Sequence, residues 1–84
     1  MEALNDMMYK IKIINNNNET KIYNHINKVC VMHNDKIQHI LEGESIYNYE
    51  FESPYNLQLY SGNEKYIINE SNPAIIYIIK EKTP

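Results

Sequence analysis

Ile46-Tyr47-Asn48-Tyr49-Glu50-Phe51-Glu52 and, further on, Ala74-Ile75-Ile76-Tyr77-Ile78-Ile79-Lys80 decide how this chain is read. In the first run Tyr47, Tyr49 and Phe51 alternate with Asn48, Glu50 and Glu52. An extended backbone sends the rings to one side and the polar groups to the other, the pattern of a half-buried strand. The second run is apolar at successive positions, which predicts a strand covered on both faces. Between them Asn56–Tyr60, with Leu57 and Leu59 on one face, and Lys65–Asn69 read as strands. Ser53-Pro54, Ser61-Gly62-Asn63 and Glu70–Pro73 supply the turns and loop between them. Strands and turns recurring every ~8–12 residues specify a sandwich or small barrel.

Toward the N-terminus, Tyr9, Ile11 and Ile13 alternate with Lys10 and Lys12, a first strand, and Asn15–Asn18 turns the chain. Residues 1–7 read as a loose N-terminal segment. Glu19–Leu41 carries two periods. With period two, Lys21–Ile26, Val29–His33 and Lys36–Leu41 are strands, and Asn34-Asp35 is a tight hairpin turn. With period 3.6, Ile22, Ile26, Val29, His33, Ile37 and Leu41 share a helical face. Val29-Cys30-Val31 disfavours a helix and Asn34-Asp35 interrupts it, so strands are favoured from Val29 on. A helix over Glu19–Lys28 stays open. The expected fold is one all-β domain over residues 1–84: a small antiparallel barrel or sandwich of six to eight strands with at most one short helix.

With 84 residues the chain buries only roughly 60–65% of its unfolded surface, so its core is small. One cysteine, Cys30, excludes an intramolecular disulfide and points to a reducing compartment, with a cytoplasmic location expected. The first residues do not resemble a signal peptide, and no apolar run approaches the ~20 residues of a membrane span. Net charge is -3, and every positive charge is a scattered lysine. Nucleic-acid binding favours clustered basic groups and the arginine fork, so nucleic acid is not the expected partner. Enrichment in Ile, Asn, Lys and Tyr follows A/T-rich codons and reports base composition rather than function.

Ile37-Gln38-His39-Ile40-Leu41-Glu42-Gly43-Glu44, followed by Tyr55-Asn56-Leu57-Gln58-Leu59-Tyr60-Ser61-Gly62-Asn63 and then Tyr66-Ile67-Ile68 and Pro73, resembles the core of the cupin superfamily across residues 36–79. The resemblance lies in an apolar run ending at Gly-Glu and a later Gly-containing turn at family-like spacing. It implies a barrel. The family's metal ligands are not matched: the glutamate position is Lys36, the paired-histidine region holds Cys30, Val31, Met32 and His33, and the later histidine position falls near Pro73. The resemblance therefore implies a barrel without a metal site, and fold alone licenses no activity.

His25, Cys30, His33 and His39 are metal-capable, but their spacing matches no zinc pattern. Cys30 with His25 or His39 is a conceivable nucleophilic pair, yet no third orienting group is apparent. Cys30 reads instead as a core residue. Neither catalysis, a metal nor another cofactor is expected. Tyr47, Tyr49, Tyr60 and Tyr66 offer rigid amphipathic contact area of the kind enriched at interfaces, with Tyr60 and Tyr66 flanking the Gly62 turn. Tyr47, Tyr49 and Phe51 serve equally as a core face. Glu42, Glu44, Glu50 and Glu52 form a local acidic cluster. Glu50 and Glu52 on one solvent face suit solubility, edge protection or a basic partner.

The expectation is a small non-enzymatic module that binds another protein through Tyr47, Tyr49, Tyr60, Tyr66, Glu50 and Glu52. Homo-oligomerisation is a related outcome, because a small β domain has edges to pair. Size and composition suit an inhibitor of a host factor encoded by a virus, phage or mobile element. The alternative is a cupin-like small-molecule binder whose interior is lined by some of His33, His39, Tyr47 and Tyr49.

Overall fold

Alternation decides the first strand: Tyr9, Ile11 and Ile13 are buried, while Lys10, Lys12 and Ile14 between them are only partly covered. This strand, β1 (Tyr9–Asn15), is followed by β2 (Thr20–Ile26), β3 (Lys28–His33), β4 (Lys36–Glu42), α1 (Glu44–Asn48), β5 (Tyr55–Ser61), β6 (Glu64–Glu70) and β7 (Ala74–Lys80). The computed structural model describes residues 7–81. The loose start expected for residues 1–7 lies outside these apart from Met7, which is half-buried against the core. Two antiparallel sheets result, in the orders β2-β1-β7 and β4-β3-β5-β6. They remain separate sheets, so of the two architectures expected the sandwich is present rather than a closed barrel.

Turn chemistry fixes the hairpins. Asn34 and Asp35 both have positive φ (51° and 62°), as a two-residue type I′ turn between β3 and β4 requires. Gly62 (φ 60°) with Asn63 joins β5 to β6, with Ser61 opposite Glu64. In the β1–β2 turn the Asn15 carboxamide oxygen accepts hydrogen bonds from the Asn17 and Glu19 amides (both 2.9 Å), which explains why an Asn-rich run reverses the chain.

The core lies between the sheets. Tyr9, Ile11, Ile13 and Ile26 come from the first sheet, Val29, Leu41, Tyr55, Leu57, Leu59 and Ile68 from the second, and Ile46 of α1 completes it. Each such side chain contributes about 1.5–3 kcal/mol by leaving water. The Tyr9 hydroxyl is buried with no hydrogen-bond partner among the described residues. Burial, then the nearby Glu44 carboxylate and Tyr47, hold its pKa above the usual phenol value. An unpaired buried hydroxyl costs about 1–3 kcal/mol. Tyr9→Phe should therefore leave stability unchanged or raise it by about 1 kcal/mol, read as the midpoint of urea unfolding. A fall of that size would show that the hydroxyl is satisfied in solution.

Three expectations are corrected. The helix left open over Glu19–Lys28 is absent: after Glu19 come β2 and then, past Asn27, the start of β3; at Asn27 the chain passes between sheets and the Asn27 amide bonds the Tyr60 carbonyl (3.0 Å). Ile46–Glu52 is not a strand: α1 takes its first half and irregular chain the rest. Beside β3 the segment has no place to pair. β4 and β5 both pair with β3, one on each side, so the segment joining them must cross over β3, whose two edges are already taken. Finally, β7 is not covered on both faces. It lies at the edge of its sheet, with Ile76 and Ile78 half-buried on the core side and Ile75, Tyr77 and Ile79 exposed on the other.

Candidate protein-binding surface

Gly43 (φ 62°, ψ -139°) ends β4 and turns the chain into α1. The Ser45 hydroxyl accepts from the Glu42 amide (2.8 Å) and donates to the Glu42 carbonyl (2.6 Å), closing that corner. The turn of helix drives Ile46 fully into the core. At Tyr49 the backbone becomes extended (φ -75°, ψ 140°) and residues 49–54 run back toward β5. The period-two sidedness survives here without a ladder: Tyr49 and Phe51 pack partly buried against the core, and Glu50 and Glu52 face solvent. The Tyr49 ring meets Phe51 edge-on at 4.9 Å and His39 at 5.5 Å.

This segment forms one wall of a groove of about 640 Å³, with Met32, His33, Tyr49, Glu50, Glu52 and Tyr55 on its lining. The turn at Ser53-Pro54, a cis peptide bond, lies at the same place. Burial raises the Tyr55 pKa above the ordinary phenol value, and its hydroxyl donates to the Ala74 carbonyl (3.2 Å), joining the groove wall to β7. The lining carries two carboxylates and no lysine among the described residues. Its rings also differ from Tyr47, Tyr60 and Tyr77. Lys12, Lys28 and Lys80 each place an ammonium over a ring, at 5.0 Å from Tyr77, 4.9 Å from Tyr60 and 4.6 Å from Tyr47. Among the described residues no cation sits over Tyr49 or Phe51.

The groove thus gathers Tyr49, Glu50, Glu52 and His33, with His39 reaching it through Tyr49. The other expected residues lie apart. Tyr47, placed on one strand face with Tyr49 by the sequence, is turned away by α1 and stacks 6.3 Å from Tyr9, beside Lys80. Tyr60 and Tyr66 do not meet across the Gly62 turn. Tyr66 is paired with Leu59 on the core face and contacts Tyr23 at 5.1 Å, while Tyr60 is on the opposite face, its hydroxyl 3.0 Å from the Gln58 side-chain oxygen. Its hydrogen bond to the Glu64 carboxylate (2.6 Å) holds the Tyr66 phenol above its usual pKa. His33 and His39 are exposed rather than interior. Cys30 is buried, and among the described residues no three His, Cys, Asp or Glu side chains converge as metal ligands would.

The sequence reading missed a second surface. On the outer side of the β2-β1-β7 sheet, Ile22 lies across Lys12 from Tyr77, Ile14 is beside Ile75, and Lys10 is beside Ile79. Nothing within the described chain covers this face, and Ile22, Ile75, Tyr77 and Ile79 are exposed. The run Ile75–Ile79 was its signal, but continuous apolarity does not say whether a layer covers it.

The chain matches no protein-family model, no curated protein and no solved structure. No helix among the described residues is long and apolar enough to cross a membrane.

Proposed function

We propose that this protein is a small non-enzymatic binding module that seats a basic, extended segment of another protein in the groove beside Tyr49–Pro54. The observation that carries this reading is the pairing of two carboxylates, Glu50 and Glu52, with rings over which no lysine among the described residues sits. A lysine or arginine side chain lays its stem on aromatic carbon, places its charge over the ring face and reaches a carboxylate. Opposite charge around a groove also steers encounter and selects among partners. The buried free Cys30 suits a reducing compartment such as the cytoplasm. Size and composition fit a host-factor inhibitor encoded by a virus, phage or mobile element.

Selection of a displayed random-peptide library against the protein tests this reading. Enriched peptides should carry Lys or Arg beside apolar residues and bind less tightly as salt rises. The double substitution Glu50→Lys with Glu52→Lys should weaken them about tenfold or more, since each rim charge is worth up to about 1 kcal/mol and reversal doubles the change. Enriched peptides without basic residues, or binding indifferent to the double substitution, would remove the groove from this role.

A further inference from the structure

The free edge of β7 differs from the other three sheet edges. β2 carries a register break and a positive φ at His25 (60°), whose amide is bonded by the Glu81 carboxylate (3.1 Å). β4 also carries a register break against β3, and β6 begins Glu64-Lys65 and ends at Glu70. Bulges and charges of this kind keep an edge from pairing with another chain. β7 has no bulge and carries a charge only at its last residue, Lys80: its seven residues pair with β1 without a register shift, and from Ala74 to Ile79 there is no charge, glycine or proline.

The hydrogen-bond parity of β7 says what that edge can take. The Glu81 amide bonds the Met8 carbonyl (3.1 Å), so in the antiparallel ladder Ile79, Tyr77 and Ile75 direct their backbone groups to β1. Ala74, Ile76, Ile78 and Lys80 direct theirs outward. The Ala74 carbonyl is taken by the Tyr55 hydroxyl, and α1 packs near the Lys80 end through Tyr47 and through Glu44 (3.8 Å from the Lys80 ammonium). Among the described residues nothing takes the middle of the edge, the N–H and C=O groups of Ile76 and Ile78. Around it the sequence Ile75-Ile76-Tyr77-Ile78-Ile79 reads the same in both directions.

We infer that the occupant of this edge is β7 of a second copy, running antiparallel about a two-fold axis at Tyr77. A two-fold contact must be self-complementary, which a palindromic strand supplies. Ile76 then exchanges hydrogen bonds with Ile78 of the second copy, and Ile78 with its Ile76, so all four open groups of each chain are met. Ile75 lies opposite Ile79 of the second copy, and the two Tyr77 residues form the central non-hydrogen-bonded pair, where side chains approach most closely. The register also brings Ala74 of the second copy opposite Lys80, beside the exposed Tyr47. The result is a continuous six-stranded sheet, β2-β1-β7-β7-β1-β2. Stacking the outer faces instead would press Lys10 and Lys12 of both copies together, which disfavours that arrangement. Edge pairing leaves these lysines in water.

Sedimentation equilibrium of the full chain from micromolar to millimolar concentration, with amide exchange by NMR, tests the dimer. The mass should rise toward twice the 10.0 kDa of one chain. The Ile76 and Ile78 amides should become protected over the same concentration range, whereas those of Ile75, Tyr77 and Ile79, bonded to β1 in either state, should not change. Tyr77→Glu places a carboxylate beside Lys12 within its own chain but against its own copy at the axis. It should stay folded by circular dichroism and dissociate at least tenfold more readily. Mixing it with the Tyr77→Lys variant should restore the dimer mass. A chain that stays monomeric to millimolar concentration overturns the inference, as does a dimer in which the Ile76 and Ile78 amides exchange freely. Neither variant touches the groove of Glu50 and Glu52, so peptide binding and dimerisation succeed or fail separately.

Discussion

Ile46→Ala should be among the most damaging single substitutions in this protein, costing about 3 kcal/mol and lowering Tm by roughly 12–24 °C. Ile46 is fully buried and is the one residue of α1 in the core, so its side chain anchors the whole passage from β4 to β5. Truncation leaves a cavity between the sheets and also frees residues 49–54, the wall of the groove. Thermal unfolding followed by circular dichroism reads the first effect. The second should appear as weaker binding of basic peptides even at temperatures where the variant is folded. A Tm within a few degrees of the parent would mean that the sheets close without the helix.

Gly43→Ala should cost about 1–3 kcal/mol by a different route. A Cβ on Gly43 would meet no heavy atom within 4 Å, so no packing is disturbed. The cost is in the backbone: φ 62° with ψ -139° is open to glycine and costly for any L side chain. Urea unfolding should show a lower midpoint with an unchanged slope, because the same surface is exposed on unfolding. A loss below about 0.5 kcal/mol would show that the corner re-aims cheaply, and then Ile46 alone would hold α1 in place.

Most of the architecture was legible because hairpin chemistry and alternation agree. Asn34-Asp35 announces a turn requiring two positive φ angles, and Tyr9, Ile11 and Ile13 announce a core face, and both are present. The tyrosine run at residues 47–51 misled because period two is shared by a strand and by an extended linker. Whether an edge is available to pair with decides between them, and the pairing of β3 on both sides is a long-range fact. The side on which Tyr49, Glu50 and Glu52 lie was nevertheless readable. The separation of Tyr60 from Tyr66 was readable too: with Ser61 opposite Glu64, Tyr66 must face with Leu59 and Tyr60 must point the other way. The groove itself was not, because it depends on where residues 49–54 cross relative to Met32 and His33 on another strand.

The position of β1 between β2 and β7 sets a timetable for synthesis. The sheet of β3 to β6 is contiguous in sequence and can assemble as it leaves the ribosome, and the β1–β2 hairpin can form early. The other side of β1 waits for β7, whose Ala74 lies opposite Asn15. At about 5–20 residues per second, the roughly 58 intervening residues take about 3–12 s to make. Throughout that interval Ile11, Ile13 and Ile14 belong to an edge open to neighbouring nascent chains. Among the described strands, the earliest in sequence is the last to be shielded.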